Sequence, residues 1–184
     1  FHQAYFTRET AKGENMKKLT VRDMADIAIV AAIYVVLTIT PPLNAMSYGA
    51  YQFRISEMMN FMAFYNPKYI IGVTIGCMIA NFFSFGVIDV FVGGGSTLAF
   101  LSLGVWLFGK YKKDYLFNDL IRKDHFLFSI LFSISMITIA AELYIVAEAP
   151  FFLTWFTTGI GEFASLIIGA IIIGKIGRRI DLTN

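Results

Sequence analysis

Tyr69-Ile70-Ile71-Gly72-Val73-Thr74-Ile75-Gly76-Cys77-Met78-Ile79-Ala80-Asn81-Phe82-Phe83-Ser84-Phe85 contains no charged residue. A helix crosses the hydrocarbon of a bilayer with about 20 residues, 17 to 25 in practice. This run therefore reads as a membrane span. Similar runs flank it on both sides. Upstream lie 24–40, with Asp26 near its start and Pro41-Pro42 ending it, and 54–66, which is short and begins with charge. Downstream lie 90–109, 126–147 and 151–174, the last two split by Pro150. The chain is 57% hydrophobic and only 15% charged, against about 25% charged in a soluble domain. Its mean hydropathy is +0.66. The expected fold is an all-α integral membrane bundle of six transmembrane helices, multi-pass in the cell membrane, with no separate soluble domain.

Lysine and arginine set the orientation. Lys17, Lys18 and Arg22 precede the first span, and Lys68 lies in the second-to-third turn. Lys110, Lys112, Lys113, Arg122 and Lys123 fill the fourth-to-fifth connection, and Lys175, Arg178 and Arg179 follow the last span. With six spans all of these fall on one side, so both termini are expected to be cytoplasmic. The opposite loops, 41–53, 87–89 and 148–150, carry neither residue type. The connection 109–125 can form a short interfacial helix; it reads as a solvated loop that fixes topology, with a partner-docking element as the alternative. Phe1 to Asn15 is polar, non-periodic and without an h-region, so it is not a signal peptide. It is expected to be a non-native or disordered extension. Met16-Lys17-Lys18 reads as a natural start, and residues 16–184 as the membrane domain.

Several chemistries are set aside. The lone Cys77 offers no disulfide framework and reads as a packing residue. Only His2 and His125 are present, so no Cys/His metal cluster is expected. Gly93-Gly94-Gly95-Ser96-Thr97 lacks the Gly-Lys-Ser/Thr ending of a phosphate-binding loop. ATP-driven work must therefore come from another chain. No hydrolase elbow or intramembrane protease signature appears, and the chain is not expected to be an enzyme.

What remains is acidic. Glu57, Asp89, Glu142, Glu148 and Glu162 sit beside or within apolar runs, all in the expected outer half, with Arg54 as the single base there. A charge near the bilayer centre costs roughly 2.5–3.5 kcal/mol on insertion scales, and such residues tend to be functional. Five acids against one base point to an outward-facing site for a small cation. Each also has a structural reading. Arg54 and Glu57, three apart, can pair on a helix. Asp89 can be a solvated loop residue or an N-cap, and Glu148 a solvated loop residue. Tyr144 and Trp155 can be interfacial belt residues. Glu142 and Glu162 are hardest to explain structurally.

Small residues at four-residue spacing mark close helix approach. Gly72/Gly76/Ala80 and Gly161/Ser165/Gly169 are expected to pack within the bundle. Ala28/Ala32 on the first helix is a face on which a separate membrane protein can dock.

Tyr51-Gln52-Phe53-Arg54-Ile55-Ser56-Glu57, after a proline-closed first helix, resembles the Gln-Phe-Arg-x-Ser-Glu signature of the QueT family. Those are substrate-binding S components of energy-coupling factor (ECF) transporters, associated with queuosine precursors such as preQ1. Ala28-x-x-x-Ala32 is similar to the motif by which S components contact the shared transmembrane coupling protein, and Gly161-Glu162 to a Gly-Glu pair of the family. The resemblance covers residues 16 to about 180. It implies a six-helix subunit that captures substrate on the outer face and works with a transmembrane coupling subunit and two cytoplasmic ATP-binding ATPases. ATP is then used by those partners, with no cofactor in this chain and no nucleic acid. The first outer loop would cover the site, offering Asn44, Tyr48, Tyr51 and Gln52, and the whole subunit would topple to release its cargo.

The acids suit such a ligand. PreQ1 is a 7-deazaguanine with a protonated aminomethyl arm. One carboxylate can accept its N1–H and amino group together, and a second carboxylate or an aromatic face can hold the ammonium. Stacking on an aromatic side chain is worth about 1–3 kcal/mol per base; Tyr48, Tyr51, Tyr144, Phe152 and Trp155 are the candidates. An anionic vitamin would want surplus Arg or Lys, which the outer half lacks. The alternatives are an S component for another cation such as thiamine, and a stand-alone proton-coupled carrier using Glu142 and Glu162 as relays.

Overall fold

Thr20 starts the first helix by a reciprocal capping box. Its hydroxyl accepts from the Asp23 N–H while the Asp23 carboxylate accepts from the Thr20 N–H. In the computed structural model, which describes residues 19–84 and 86–183, this helix is α1, Val21–Ile39. Further along come α2, Leu43–Ser47; α3, Tyr69–Phe82; α4, Val87–Phe108; α5, Lys123–Ser135; α6, Ile137–Ala147; and α7, Phe151–Ile176. The segment Val87–Tyr111, the α5–α6 stretch Lys123–Ala147 and α7 are each long and apolar enough to cross a membrane. Helix α3 is apolar but shorter, at 14 residues. Residues Phe1 to Asn15, expected to be a foreign extension, lie outside the described residues.

The expected span 54–66 is not an α-helix. Ile55–Phe64 forms a ten-residue 3₁₀ helix. At about 2.0 Å rise per residue against 1.5 Å, this short segment reaches about 20 Å rather than 15 Å. It is buried along most of its length and packs against α7, α1 and α3. The expected span 126–147 also departs from a single helix, breaking at Met136 between α5 and α6. Ser133 donates to the Ser129 carbonyl and Ser135 to that of Phe132. Such back-bonding bends helices. Trp155 Nε1 donates to the Ile134 carbonyl at the break, 3.1 Å away.

The glycine stripes pack as expected. A Cβ on Gly72 would stand 2.7 Å from the Ile27 carbonyl oxygen, and one on Gly76 2.8 Å from Tyr34 Cβ, so α3 lies directly against α1. Gly76→Val is therefore expected to overpack this seam. Overpacking costs about 1–3 kcal/mol, or roughly 3–10 °C in melting temperature for a chain of this size. Thermal denaturation in detergent checks this; an unchanged midpoint would show that α1 yields freely.

The connection 109–125 is solvated over most of 110–120, as expected, but it is a hairpin and not an interfacial helix. Tyr115–Leu116 (β1) pairs antiparallel with Ile121–Arg122 (β2), and Phe117, Asn118 and Asp119 make the turn with positive φ. Its end is buried. Arg122 pairs with Asp124 through two hydrogen bonds, of 3.1 and 2.5 Å, and lies 4.4 Å from the Tyr65 ring centroid. His125 stacks 4.4 Å from Phe61. Burial of Arg122 and Asp124 is tolerated because their charges are paired within the segment.

Contacts gather the basic segments at one end. Lys68 bridges Asp23 and Asp26 at 2.9 and 2.8 Å, Asn66 donates to the Thr183 carbonyl, and Arg178 to that of Asp119 in the hairpin. The opposite end brings Tyr48–Gln52 beside Ala149 and Pro150.

Candidate functional site

Three residues per turn stacks side chains i and i+3 directly over one another. The 3₁₀ helix uses this to place Asn60 above Glu57, and Asn60 Nδ2 donates to Glu57 Oε2 at 2.6 Å. The other carboxyl oxygen, Oε1, accepts from the Tyr34 hydroxyl at 2.5 Å. Next to it, Thr38 Oγ1 donates to Ser56 Oγ at 2.7 Å, tying the element to α1. Glu57 is thus held in one orientation by two donors from different elements.

Arg54 caps the 3₁₀ helix and does not pair with Glu57, contrary to the i,i+3 reading. With the residue outside the helix proper, its guanidinium turns toward α3 instead. Nη1 donates to Asn81 Oδ1 at 2.9 Å and Nε to the Ser47 carbonyl at 3.2 Å. Its charge sits 5.6 Å from the Tyr48 ring centroid. Asn81 in turn donates to the Asp89 carbonyl. Gly93 makes this possible, since any Cβ there would occupy the position of Asn81 Nδ2.

Helix α7 seats the incoming strand through its small-residue stripe. Gly161 lies under the Tyr51 carbonyl, Ser165 Oγ donates to the Arg54 carbonyl, and Gly169 lies under Met58. The stripe therefore sets residues 51–58 against α7, where Glu162 projects beside Arg54 and Glu57. Gln52, at φ 45°, turns the chain into this seat.

These groups enclose a small polar chamber. Its walls include Gln52, Arg54, Glu57 and Glu162, with Cys77 and Thr97 across from them and Met136 and Ile139 from the α5–α6 break. The chamber holds about 20 Å³, room for about one water molecule. A second cavity of about 330 Å³ lies between Tyr48–Gln52 and α7, and Gln52 lines both. Only the second is in the size range of ligand pockets, about 300–1,000 Å³.

Glu57, Asp89, Glu142 and Glu162 are each no more than 4% exposed. Asp89 is neither solvated loop nor N-cap; it sits buried in the first turn of α4. Glu162 Oε1 is buried with no hydrogen-bond partner among the described residues, and the Glu142 carboxyl receives no N–H there, only the Asp89 carboxyl lying within hydrogen-bond reach of it. A buried carboxyl without a donor costs several times what a bonded one does.

The other expected residues do not line the chamber. Tyr48 donates to the Ala80 carbonyl at 2.6 Å, closing the loop over α3. Asn44 is half-buried in α2, away from the chamber walls. Tyr144 and Glu148 are exposed, Glu148 with φ 52° as the cap of α6. Trp155 and Phe152 line an apolar surface groove with Ile134 and Phe163. Ala28 and Ala32 are exposed in a groove of about 630 Å³ between α1 and α3, lined also by Ile71, Ile75 and Ile79.

Four groups have no counterpart in the sequence reading: Thr97 on the chamber wall, and Tyr34, Asn60 and Asn81 behind it, bonded to Glu57 and Arg54. Asn81 gave the clearest signal, a lone amide in a charge-free run. Cys77 was read as packing alone, yet its Sγ lies 3.3 Å from Thr97 Oγ1 on the chamber wall.

Comparison with known proteins points to one family. The sequence profile described as "QueT transporter" matches residues 24–178. A "Queuosine precursor transporter QueT" from Lactococcus lactis subsp. cremoris (strain MG1363) is 62% identical over 169 residues, 92% of this chain and the whole of that protein. No solved structure matches the chain significantly. With the profile covering most of its length, the chain belongs to the QueT transporter family, whose members are transporters and not enzymes.

Proposed function

We propose that the chain is the high-affinity substrate-binding subunit, the S component, of an ECF-type ABC importer for a queuosine precursor, a preQ1-like 7-deazaguanine. Residues 16–184 form one six-span unit of the cell membrane, both termini cytoplasmic and the acid-rich end outside. The gathering of Lys68, the hairpin and Arg178 at the end opposite the loop 41–53 supports that orientation. The observation that carries the reading is the convergence of four buried carboxyls on one arginine, with Glu162 Oε1 unbonded among the described residues. Such a site lacks a positively charged, donor-rich partner. A 7-deazaguanine supplies N1–H and amino donors along one edge.

Substrate contact is assigned to Gln52, Arg54, Glu57, Glu162, Asp89 and Glu142, with Tyr48 positioning Arg54. Energy comes from a transmembrane coupling subunit and two cytoplasmic ATPases, since this chain has no phosphate-binding loop. The exposed Ala28/Ala32 groove is the surface for the coupling subunit.

The detergent-purified chain is expected to bind a 7-deazaguanine with no ATPase present. Calorimetry with preQ1, preQ0, queuine and thiamine tests this. Silence with all three deazaguanines and tight thiamine binding would replace the substrate. Uptake by the chain alone in ATPase-free liposomes, driven by a proton gradient, would replace the mechanism with a secondary carrier.

A further inference from the structure

The chamber walls continue outward by one helical turn on two sides. Gly93 of α4 and Ile139 of α6 line the chamber. Asp89 precedes Gly93 by four residues and Glu142 follows Ile139 by three. Each carboxylate therefore sits one turn along the same face of its helix, about 5.4 Å away. A Cβ on Gly93 would stand 3.3 Å from Asp89 Oδ1, which places that carboxylate at the chamber rim. The Glu142 carboxyl neighbours it.

Glu142 is 4% exposed; its carboxyl lies within hydrogen-bond reach of the Asp89 carboxyl, and neither of its oxygens receives an N–H from the described residues. Buried polar atoms in native proteins are bonded in the great majority of cases, so a buried carboxyl whose partner is another carboxyl calls for a reason. Packing does not supply one, because an apolar residue or a glutamine would fill the same volume at lower desolvation cost. The deeper carboxyls differ in company. Glu57 is already bonded by Tyr34 and Asn60, and Glu162 shares the chamber with Arg54. That centre is suited to neutral N–H donors. Two facing carboxyls at the rim are suited to a whole positive charge.

We propose that Asp89 and Glu142 form an ammonium subsite that makes the protein select 7-deazaguanines carrying a protonated amine on the C7 arm. This rests on the queuosine-precursor reading above. The N1–H/amino edge and the C7 arm lie at opposite ends of the bicycle. With the edge at Glu162 and Glu57, the arm points outward to the rim. An aminomethyl group or the secondary ammonium of queuine brings one positive charge and at least two donors. The nitrile of preQ0 brings neither, and its nitrogen is an acceptor that two carboxyls repel. Discrimination thus comes from an unfavourable contact with the neutral ligand as well as a favourable one with the cation.

The test titrates preQ1 and preQ0 into the detergent-purified full chain. The wild type is expected to bind preQ1 at least tenfold more tightly than preQ0. Glu142→Gln and Asp89→Asn are expected to lose most of that preference by weakening preQ1, while preQ0 affinity stays within about threefold or improves. Retained preQ0 binding also reports that each variant is folded. Equal wild-type affinity for the two ligands overturns the proposal. So does a parallel loss for both ligands in Glu142→Gln and Asp89→Asn, which would make the pair structural. Failure of both ligands to bind the wild type instead removes the queuosine-precursor reading, and this subsite with it.

Discussion

Glu162→Gln is expected to weaken preQ1 binding by about tenfold to a hundredfold, and Glu148→Gln to leave it unchanged. Glu162 is 1% exposed on the chamber wall, whereas Glu148 caps α6 in solvent. A hydrogen bond to a charged group is worth about 1.5–3 kcal/mol, and each 1.4 kcal/mol is a factor of ten in affinity. An exposed carboxylate is screened by water and salt and contributes little. The unliganded Glu162→Gln protein is expected to melt no lower than the wild type. The substitution replaces a buried carboxyl whose Oε1 has no partner among the described residues with an amide of the same shape, which relieves a desolvation cost. Weaker binding with undiminished stability is the signature of a group kept for its ligand rather than for the fold. Equal affinities for the two variants would show that burial is a poor guide to this site, and a large drop in melting temperature would make Glu162 structural.

The second large effect separates binding from transport. Ala28→Leu combined with Ala32→Leu is expected to abolish uptake in cells while preQ1 affinity stays within about twofold. Both alanines are exposed and line the groove between α1 and α3. Helix association in lipid relies on small residues that let backbones approach closely. Two leucines fill that groove without touching the chamber, because the residues of α1 that serve the site, Tyr34 and Thr38, lie on its buried face. Co-purification with the coupling subunit should fall in parallel with uptake. Normal uptake by the double variant would rule this surface out.

Much of this architecture is written in the apolar runs, because period and length survive any tertiary context. The runs 24–40, 69–86, 90–109 and 151–174 appear as α1, α3, α4 and α7 within a few residues at most ends. The run 54–66 does not, since choosing three rather than 3.6 residues per turn depends on what the helix packs against, and composition is silent on that. The α5–α6 break likewise depends on where Ser133 and Ser135 send their hydroxyls. Within the site, Glu142 and Glu162 were legible because a carboxylate in an apolar run has few structural excuses. Asp89 was less so, because a helix start excuses any aspartate. Tyr34 and Asn60 were not legible, each being unremarkable alone and meaningful only once both reach Glu57. The possible Arg54–Glu57 pair does not form, because sequence distance puts Glu57 nearest whereas the cap position turns Arg54 to Asn81.

The chamber's size also has a kinetic consequence. A space of about 20 Å³ cannot admit a bicyclic base, so association includes a step in which Gln52 and its neighbours move aside. If that step is slow, the observed association rate stops rising with ligand concentration and levels off at the opening rate. The measured dissociation constant then equals the intrinsic one divided by the fraction of molecules open. A substitution that lifts residues 51–54 off α7, such as Gly161→Ala beneath the Tyr51 carbonyl, acts on the plateau and on the residence time together. It shortens the time the cargo stays aboard while leaving every carboxylate in place.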